Sequence, residues 1–435
     1  QGSVSCSRVT PSRPSLAMAM RLSRSTVAVA AVVACLGALA LAGATTAFAA
    51  TRAPATLAPV AGVTLSTGAG AFGAQAPPAL GLAPGASQRR AGAAAALVAL
   101  AAAGAAALIV QNKGGGHGEL GYHLALNLAQ KGLKVTMIND SAAKQAKQPF
   151  NSYCDLYAAG VKVLWADLAE GGLAGALEGV EPCEYVFDNQ NVCPKDVQKA
   201  VAAWSPKAYA YVSSGGMYKP IPEGPLLETG AVKEDNKQLS IEKSAADMGL
   251  NWSAYRPQYI YGPKTSKPEY LDWFLDRVTR DVPFPLPGDG GLRTTVTHAA
   301  DVAGMLASVV DKAEAAKGQV FNCATDTRVS HKEIVELVAI TVGKDPAAVM
   351  NKVVFYDPAA LKGLDLPKKG KFPFRETHFG VGVDKAKQLL GWAPKNKLEV
   401  DLSWYYEEYK RLGKDKGDIV REWDEAVLKS VTSAA

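Results

Sequence analysis

No acidic residue occurs before Glu119, and residues 1–106 contain no lysine. Cysteine is scarce, with six in 435 residues and no C-x-x-C pair. That excludes a disulfide framework and the usual zinc ribbons. Cys6 and Cys35 precede the body of the chain, and Cys154, Cys183, Cys193 and Cys323 read as reduced thiols. There are only five histidines, and His117, His298 and His378 are far apart, so no ribonuclease-type acid/base pair is visible. Hydrophobic residues make up 48% and charged residues 20%, which excludes wholesale disorder and fits a chain that buries a sizeable core.

The formal charge of +6 misleads. Residues 1–106 hold seven arginines, and without them 40 basic residues face 41 acidic ones. The body is near neutral, so nucleic acid must be held by a local patch and not by the overall field. The acid-free start reads as a targeting leader over residues 1–105 and stands outside the fold. Met18 or Met20 is a candidate initiator, Arg21 and Arg24 form a positive region, residues 27–42 are apolar, and Ala47-Phe48-Ala49 suits cleavage. A second arginine-bearing stretch, residues 50–90, follows. Signal plus transit peptide suits a plastid, its stroma, reached through the secretory system, with a one-step transit peptide as the alternative. Residues 91–110 are long enough to span a membrane. Residues 106–111 are needed as a first strand, however, so no stable anchor is expected in the mature form.

From residue 106 short apolar runs alternate with helical stretches: AALIVQN, LKVTMIND, VKVLWADL, CEYVFDN, YAYVSS and NWSAYRP as strands, with helices at Glu119–Lys131, Val197–Ala203 and Lys237–Met248 between them. The alternation predicts an α/β fold: a Rossmann-like doubly wound parallel sheet over about 106–256, with a smaller C-terminal α/β lobe over about 257–435. The loop QNKGGGHGELG follows the first strand and opens a helix. Gly115, Gly118 and Gly121 give G-x-x-G-x-x-G, which lets backbone approach a pyrophosphate, and Asp140 stands where a ribose-binding carboxylate belongs. NAD(P) is the cofactor this arrangement would take. Close strand–helix packing alone would also require such glycines.

YVSSGGMY (211–218), RPQYIYGP (256–263), VTHAADVAGML (296–306), GQVFNCA (318–324) and AKQLLGWAPK (386–395) resemble the extended, epimerase-like short-chain dehydrogenases. That resemblance implies a Ser, Tyr and Lys working on a carbinol. Ser214 and Lys243 occupy two of the positions, but Leu239 stands at the tyrosine position and cannot move a proton. Redox or epimerase chemistry is therefore not expected. NKGGGHGELGYHLALNL, QPFNSY, VFDNQN, WFLDRVTRD and KKGKFPFRETHF resemble, more narrowly, the chloroplast stem-loop-binding proteins, and Arg256-Pro257-Gln258-Tyr259 points to their a-type branch. The resemblance implies binding and divalent-metal-dependent cleavage of RNA stem-loops, and a role in plastid RNA or rRNA maturation or stability. It also implies plastid ribosomes or transcription complexes as partners, and a paralogue as a further oligomeric partner.

Cleavage with Mg²⁺ needs hard oxygen ligands. Asp167 ends the third strand and Asp188 the fourth, so these two are the candidate metal and catalytic residues, with Asn151 or Asn189 assisting. For RNA, the candidate patch is Lys362, Lys368, Lys369, Lys371 and Arg375, interleaved with Phe372, Phe374, His378 and Phe379. Lysines neutralise phosphates and aromatic faces stack on unpaired bases. A second patch is Arg277, Arg280 and Arg293 with Trp273 and Phe274. The rival readings are a non-catalytic RNA- or ribosome-binding factor and a nucleotide-sensing or residual NAD(P)-dependent enzyme.

Overall fold

Six apolar segments of five to seven residues become strands in a computed structural model that describes residues 104–112, 119–146, 150–264 and 270–434. They are β1 (Ala106–Gln111), β2 (Lys134–Asp140), β3 (Lys162–Ala166), β4 (Tyr185–Asn189), β5 (Ala208–Val212) and β6 (Trp252–Pro257). All described residues fall within one unit, residues 82–435. The leader segments before residue 104, and Gly115 and Gly118 of the glycine loop, lie outside the described residues.

Three short pairs follow: β7 (Ile260–Tyr261) with β10 (Thr297–His298), β8 (Phe284–Pro287) with β13 (Val353–Tyr356), and β9 (Arg293–Thr294) with β12 (Val329–Ser330). Between them β11 (Gln319–Cys323) returns to pair with β6. Among the described residues the main sheet has seven strands in the order β3-β2-β1-β4-β5-β6-β11, every neighbour parallel. This is the doubly wound order, with the reversal between β1 and β4. The α/β expectation is met, and the stretch after residue 257 supplies the seventh strand.

Parallel strands must be covered on both faces, so their residues are apolar at successive positions. Ile109, Met137, Phe187 and Ala210 pack on one side with the Leu120–Gln130 and Ala299–Ala307 helices. Leu108, Val110, Val186 and Tyr209 pack on the other, against Val197 and Val201 of the Pro194–Ala202 helix and Ile241 and Ala245 of the Lys237–Asp247 helix. Residues two apart share a face, which puts Asp188 beside Val186 in the second layer. Among the described residues no helix is long and apolar enough to cross a membrane.

Helix ends follow local chemistry. Ser330 caps the His331–Thr341 helix, accepting from Glu333 N (3.1 Å), while Glu333 accepts from Ser330 N (2.7 Å). This reciprocal box satisfies two donors that the first turn would otherwise strand. It also fixes His331, which is buried with its ring 4.8 Å from that of Phe374. Burial pushes the His331 imidazole down to about 4 from its ordinary 6.5.

Between those two values the unfolded chain binds a proton that the folded chain refuses. Stability therefore falls as pH drops from 6.5 toward about 4, by up to roughly 1.4 kcal/mol per pH unit for this residue. Urea denaturation at about pH 7 and about pH 5 should show that loss, and His331→Leu should flatten it. An unchanged pH dependence in the variant would show that other groups control it.

Candidate nucleic-acid interface

In an open parallel sheet the crevice lies at the carboxyl ends of the strands flanking the reversal. Here those ends carry Gln111, Asn139 and Asn189, all buried. Gln111 Nε2 donates to Glu119 Oε1 (2.9 Å) and Asn139 Oδ1 (2.8 Å). Tyr153 OH donates to the same Glu119 oxygen at 2.5 Å, and Asn189 Nδ2 approaches Gln111 Oε1 at 3.4 Å. Glu119 is 0% exposed and sits at the head of the Leu120–Gln130 helix in a left-handed conformation, φ 45°. Gly121 is glycine for a local reason: a Cβ there would lie 1.6 Å from Gln111 Oε1. Glu119 leads into that helix, but its carboxylate caps none of the helix N–H groups and turns instead to Gln111 and Tyr153.

Asp140 ends β2 as expected, but its carboxylate already accepts from Leu168 N (3.1 Å) and pairs with Lys144 (3.0 Å). Ser214 Oγ accepts from Gly216 N (3.1 Å). Lys243 is 63% exposed and lies 3.8 Å from Glu234, and Leu239 is buried. The described residues therefore do not fit a nicotinamide dinucleotide poised for hydride transfer.

The expected metal pair does not form. β3 stands at the sheet edge, three strand spacings from β4, so Asp167 and Asp188 are separated by about 14 Å across the sheet. Asp167 is exposed, at the start of a short turn. Asp188 is wholly buried and accepts from Tyr209 OH at 2.7 Å. Asn151 is exposed, its Nδ2 3.5 Å from Ala146 O, and Asn189 belongs to the glutamine network. Among the described residues no three His, Cys, Asp or Glu side chains gather as metal ligands. The strand order, which puts β3 outermost, is the feature that the choice of Asp167 overlooked.

The C-terminal basic loop makes a concave surface. A groove of about 310 Å³ is lined by Lys362, Lys368, Lys371, Phe374 and Arg375, with Tyr356 and Trp423 as further aromatic walls. Lys371 Nζ lies 5.8 Å from the centre of the Trp423 ring. The loop is bolted from below. Gly370 O accepts from Trp273 Nε1 (3.0 Å), and Arg277 reaches the same carbonyl at 3.4 Å. Gly370 has φ 82°, and a Cβ there would lie 2.6 Å from Val420 O, so only glycine suits the position.

Four members of the predicted patch have other work: Phe379 is buried beneath Arg375, His378 Nδ1 accepts from Arg293 N at 3.0 Å, and Phe372 and Lys369 are also engaged. Phe372 is core, its ring 5.4 Å from Trp273 and 5.3 Å from Phe274, because the loop turns alternate aromatics inward. Lys369 is held by Glu422 at 2.6 Å. The second predicted patch is not a surface for RNA. Trp273, Phe274 and Arg277 are buried, Arg280 donates to Lys414 O and Gly417 O, and Arg293 pairs with Glu333 at 2.9 Å. Tyr356 and Trp423 were missed because each is remote in sequence from the lysines.

No family model matches this chain. The Arabidopsis thaliana protein named chloroplast stem-loop binding protein of 41 kDa b is 30% identical over 301 residues, 67% of this chain and 77% of that protein. The chain belongs to the chloroplast stem-loop binding protein family. That relative is b-type, whereas the Arg256–Tyr259 phrase points to the a-type.

Solved structures place this family member among epimerase folds. UDP-glucuronic acid 4-epimerase from Bacillus cereus, in complex with NAD, has a TM-score of 0.56 at 16% identity, covering 71% of this chain and 99% of that one. An epimerase from Methanothermobacter thermautotrophicus gives 0.55 at 17%, covering 74% and 98%. The dTDP-glucose 4,6-dehydratase of Bacillus anthracis, in complex with NAD, gives 0.54 at 16%, covering 71% and 97%. At such identities the likeness shows the fold. This stem-loop-binding family member keeps that fold, with the buried Leu239 at the position of the proton-transferring tyrosine.

Millimolar NADPH is expected to leave the melting temperature of the protein unchanged. Tight, saturable binding would show that the crevice still takes a dinucleotide. Arg277 Nε donates to the buried Asp424 carboxylate at 2.8 Å, so Asp424→Ala strands the guanidinium and should cost about 3–5 kcal/mol in urea denaturation. A loss below about 1 kcal/mol would show that the pair is solvated.

Proposed function

We propose that this chain binds stem-loop RNA in a plastid, and that the groove around Phe374 is where the RNA is held. The supporting observation is the convergence of Lys362, Lys368, Lys371 and Arg375 on one concavity with half-buried Phe374 in its wall; Tyr356 and Trp423 back it from the core, and one acid, Glu376, also lines it. Three of those cations, Lys368, Lys371 and Arg375, come from one eight-residue stretch, so the field is local in a near-neutral body. Cations of this kind grip phosphates, and aromatic walls favour unpaired bases of a loop over a closed stem. The printed name of the Arabidopsis relative supports both the ligand class and the compartment. Ribosome association follows if the stem-loop held is ribosomal.

Binding is the activity the geometry favours. Cleavage, implied by the resemblance, lacks the Asp167–Asp188 ligand pair that was to carry it.

Fluorescence anisotropy with a labelled plastid stem-loop tests the proposal. The Lys368→Ala, Lys371→Ala protein should bind about tenfold more weakly, with a salt slope lower by about 1.4. Lys134→Ala, at the exposed amino end of β2 and so at the opposite edge of the sheet from the crevice, should bind normally. Unchanged affinity and slope in the double variant would sink the groove as the RNA contact. Gel analysis of the same mixtures with Mg²⁺ and with EDTA reads cutting. Intact RNA supports a binding factor, and EDTA-sensitive cutting by the purified protein would overturn that reading.

A further inference from the structure

A second, larger groove of about 760 Å³ opens between the starts of the Pro194–Ala202 and Lys237–Asp247 helices. Lys195, Lys233 and Lys237 line it, with Asn191 and Gln238 as amide donors and Val192, 40% exposed, as an apolar wall. Lys195 and Lys237 are exposed and have no carboxylate partner among the described residues. Two acids also line the groove. Asp196 lies 3.9 Å from Lys199, and Asp235 is exposed. The cations exceed them.

This groove is not the dehydrogenase centre. Lys237, Gln238, Ser240 and Ile241 line it, and at 100° per residue they occupy the side of the helix opposite Leu239 and Lys243. One residue, Gly216, stands next to a lining cation of each groove. Lys233 Nζ donates to Gly216 O at 3.3 Å, and Arg375 Nη2 lies 3.4 Å from where a Gly216 Cβ would stand. One cation from each groove therefore flanks the same residue, in the loop that follows β5.

We propose that the two grooves form one RNA track across Gly216, in which the first takes the loop of a stem-loop and the second takes single-stranded RNA flanking its stem. This rests on the first groove's being an RNA contact. The volume suits a ligand of nucleotide size or larger. Single-stranded RNA is the chemistry that matches, because lysines answer its phosphates, amides answer base edges and an apolar wall answers base faces that a duplex hides.

Anisotropy with two labelled RNAs tests the track: a minimal stem-loop, and the same stem-loop with a single-stranded extension. The full-length Lys195→Ala, Lys237→Ala protein should bind the extended RNA about tenfold more weakly, with a salt slope lower by about 1.4, and bind the minimal RNA normally. Both substitutions are exposed, and an unchanged melting temperature confirms the fold. If this protein binds both RNAs like wild type while Lys368→Ala, Lys371→Ala weakens both, the track is refuted and the first groove stands. If it weakens both RNAs equally, the second groove holds the stem-loop itself and the division proposed here is wrong. If only the Lys195, Lys237 protein is impaired, and only on the extended RNA, the second groove stands and the first falls. If neither variant is impaired, both fall.

Discussion

Arg277 is a guanidinium with 2% of its side chain exposed, and it is neutralised by Asp424, which has none. Its Nε donates to Asp424 at 2.8 Å, its Nη1 to Trp273 O at 3.1 Å and its Nη2 to Val420 O at 3.2 Å. Its plane lies 4.1 Å from the centre of the Trp273 ring. Burial alone opposes both charges, lowering the arginine and raising the aspartate, and their contact offsets this. A buried pair of this sort adds little net stability over an apolar replacement, yet it tolerates few alternative arrangements. Here the arrangement it selects joins three segments: the Tyr270–Thr279 helix, the loop at Gly370 and the Glu422–Ala434 helix. Those segments set the depth of the basic groove and bring Trp423 to its wall.

The sheet tells a different history at its other end. A fold whose solved representatives include NAD complexes has its crevice lined in this chain by Gln111, Asn139, Tyr153, Asn189 and Glu119 in mutual contact. Buried polar groups are costly unless paired, and these groups pair with one another except at Asn139 Nδ2, which has no partner among the described residues. Leu239 removes the proton carrier independently. The scaffold and the chemistry have separated, which is why fold likeness alone says little about what the surface does.

Much of the architecture was legible because parallel strands advertise themselves. Runs such as AALIVQ and YVFDN are apolar on both faces, and the segments between them have helical length. The same runs do not say which strand lies at an edge, and the metal expectation failed on that point. Phe372 and Phe374 show a second limit. They are two residues apart in one loop, one in the core and one at the groove. Nothing periodic separates them: Trp273 touches both rings, and Phe372 alone is also packed on Tyr259, Tyr270 and Phe274, far away in the chain. Lys368, Lys371 and Arg375 were legible as a patch, because charge that is local in sequence stays local in a short loop.

The walls of the basic groove are therefore distant in the chain, and the ion pair that seats them spans 147 residues. Contacts of such separation form late, because the loop entropy must be spent before they reward it. A partly folded chain has the lysines but not the concavity, so the concavity and the native topology arrive together. Anything that binds only the completed groove also holds the fold by mass action. Such an occupant and the buried pair at Arg277 would secure the same seam, one from outside and one from within.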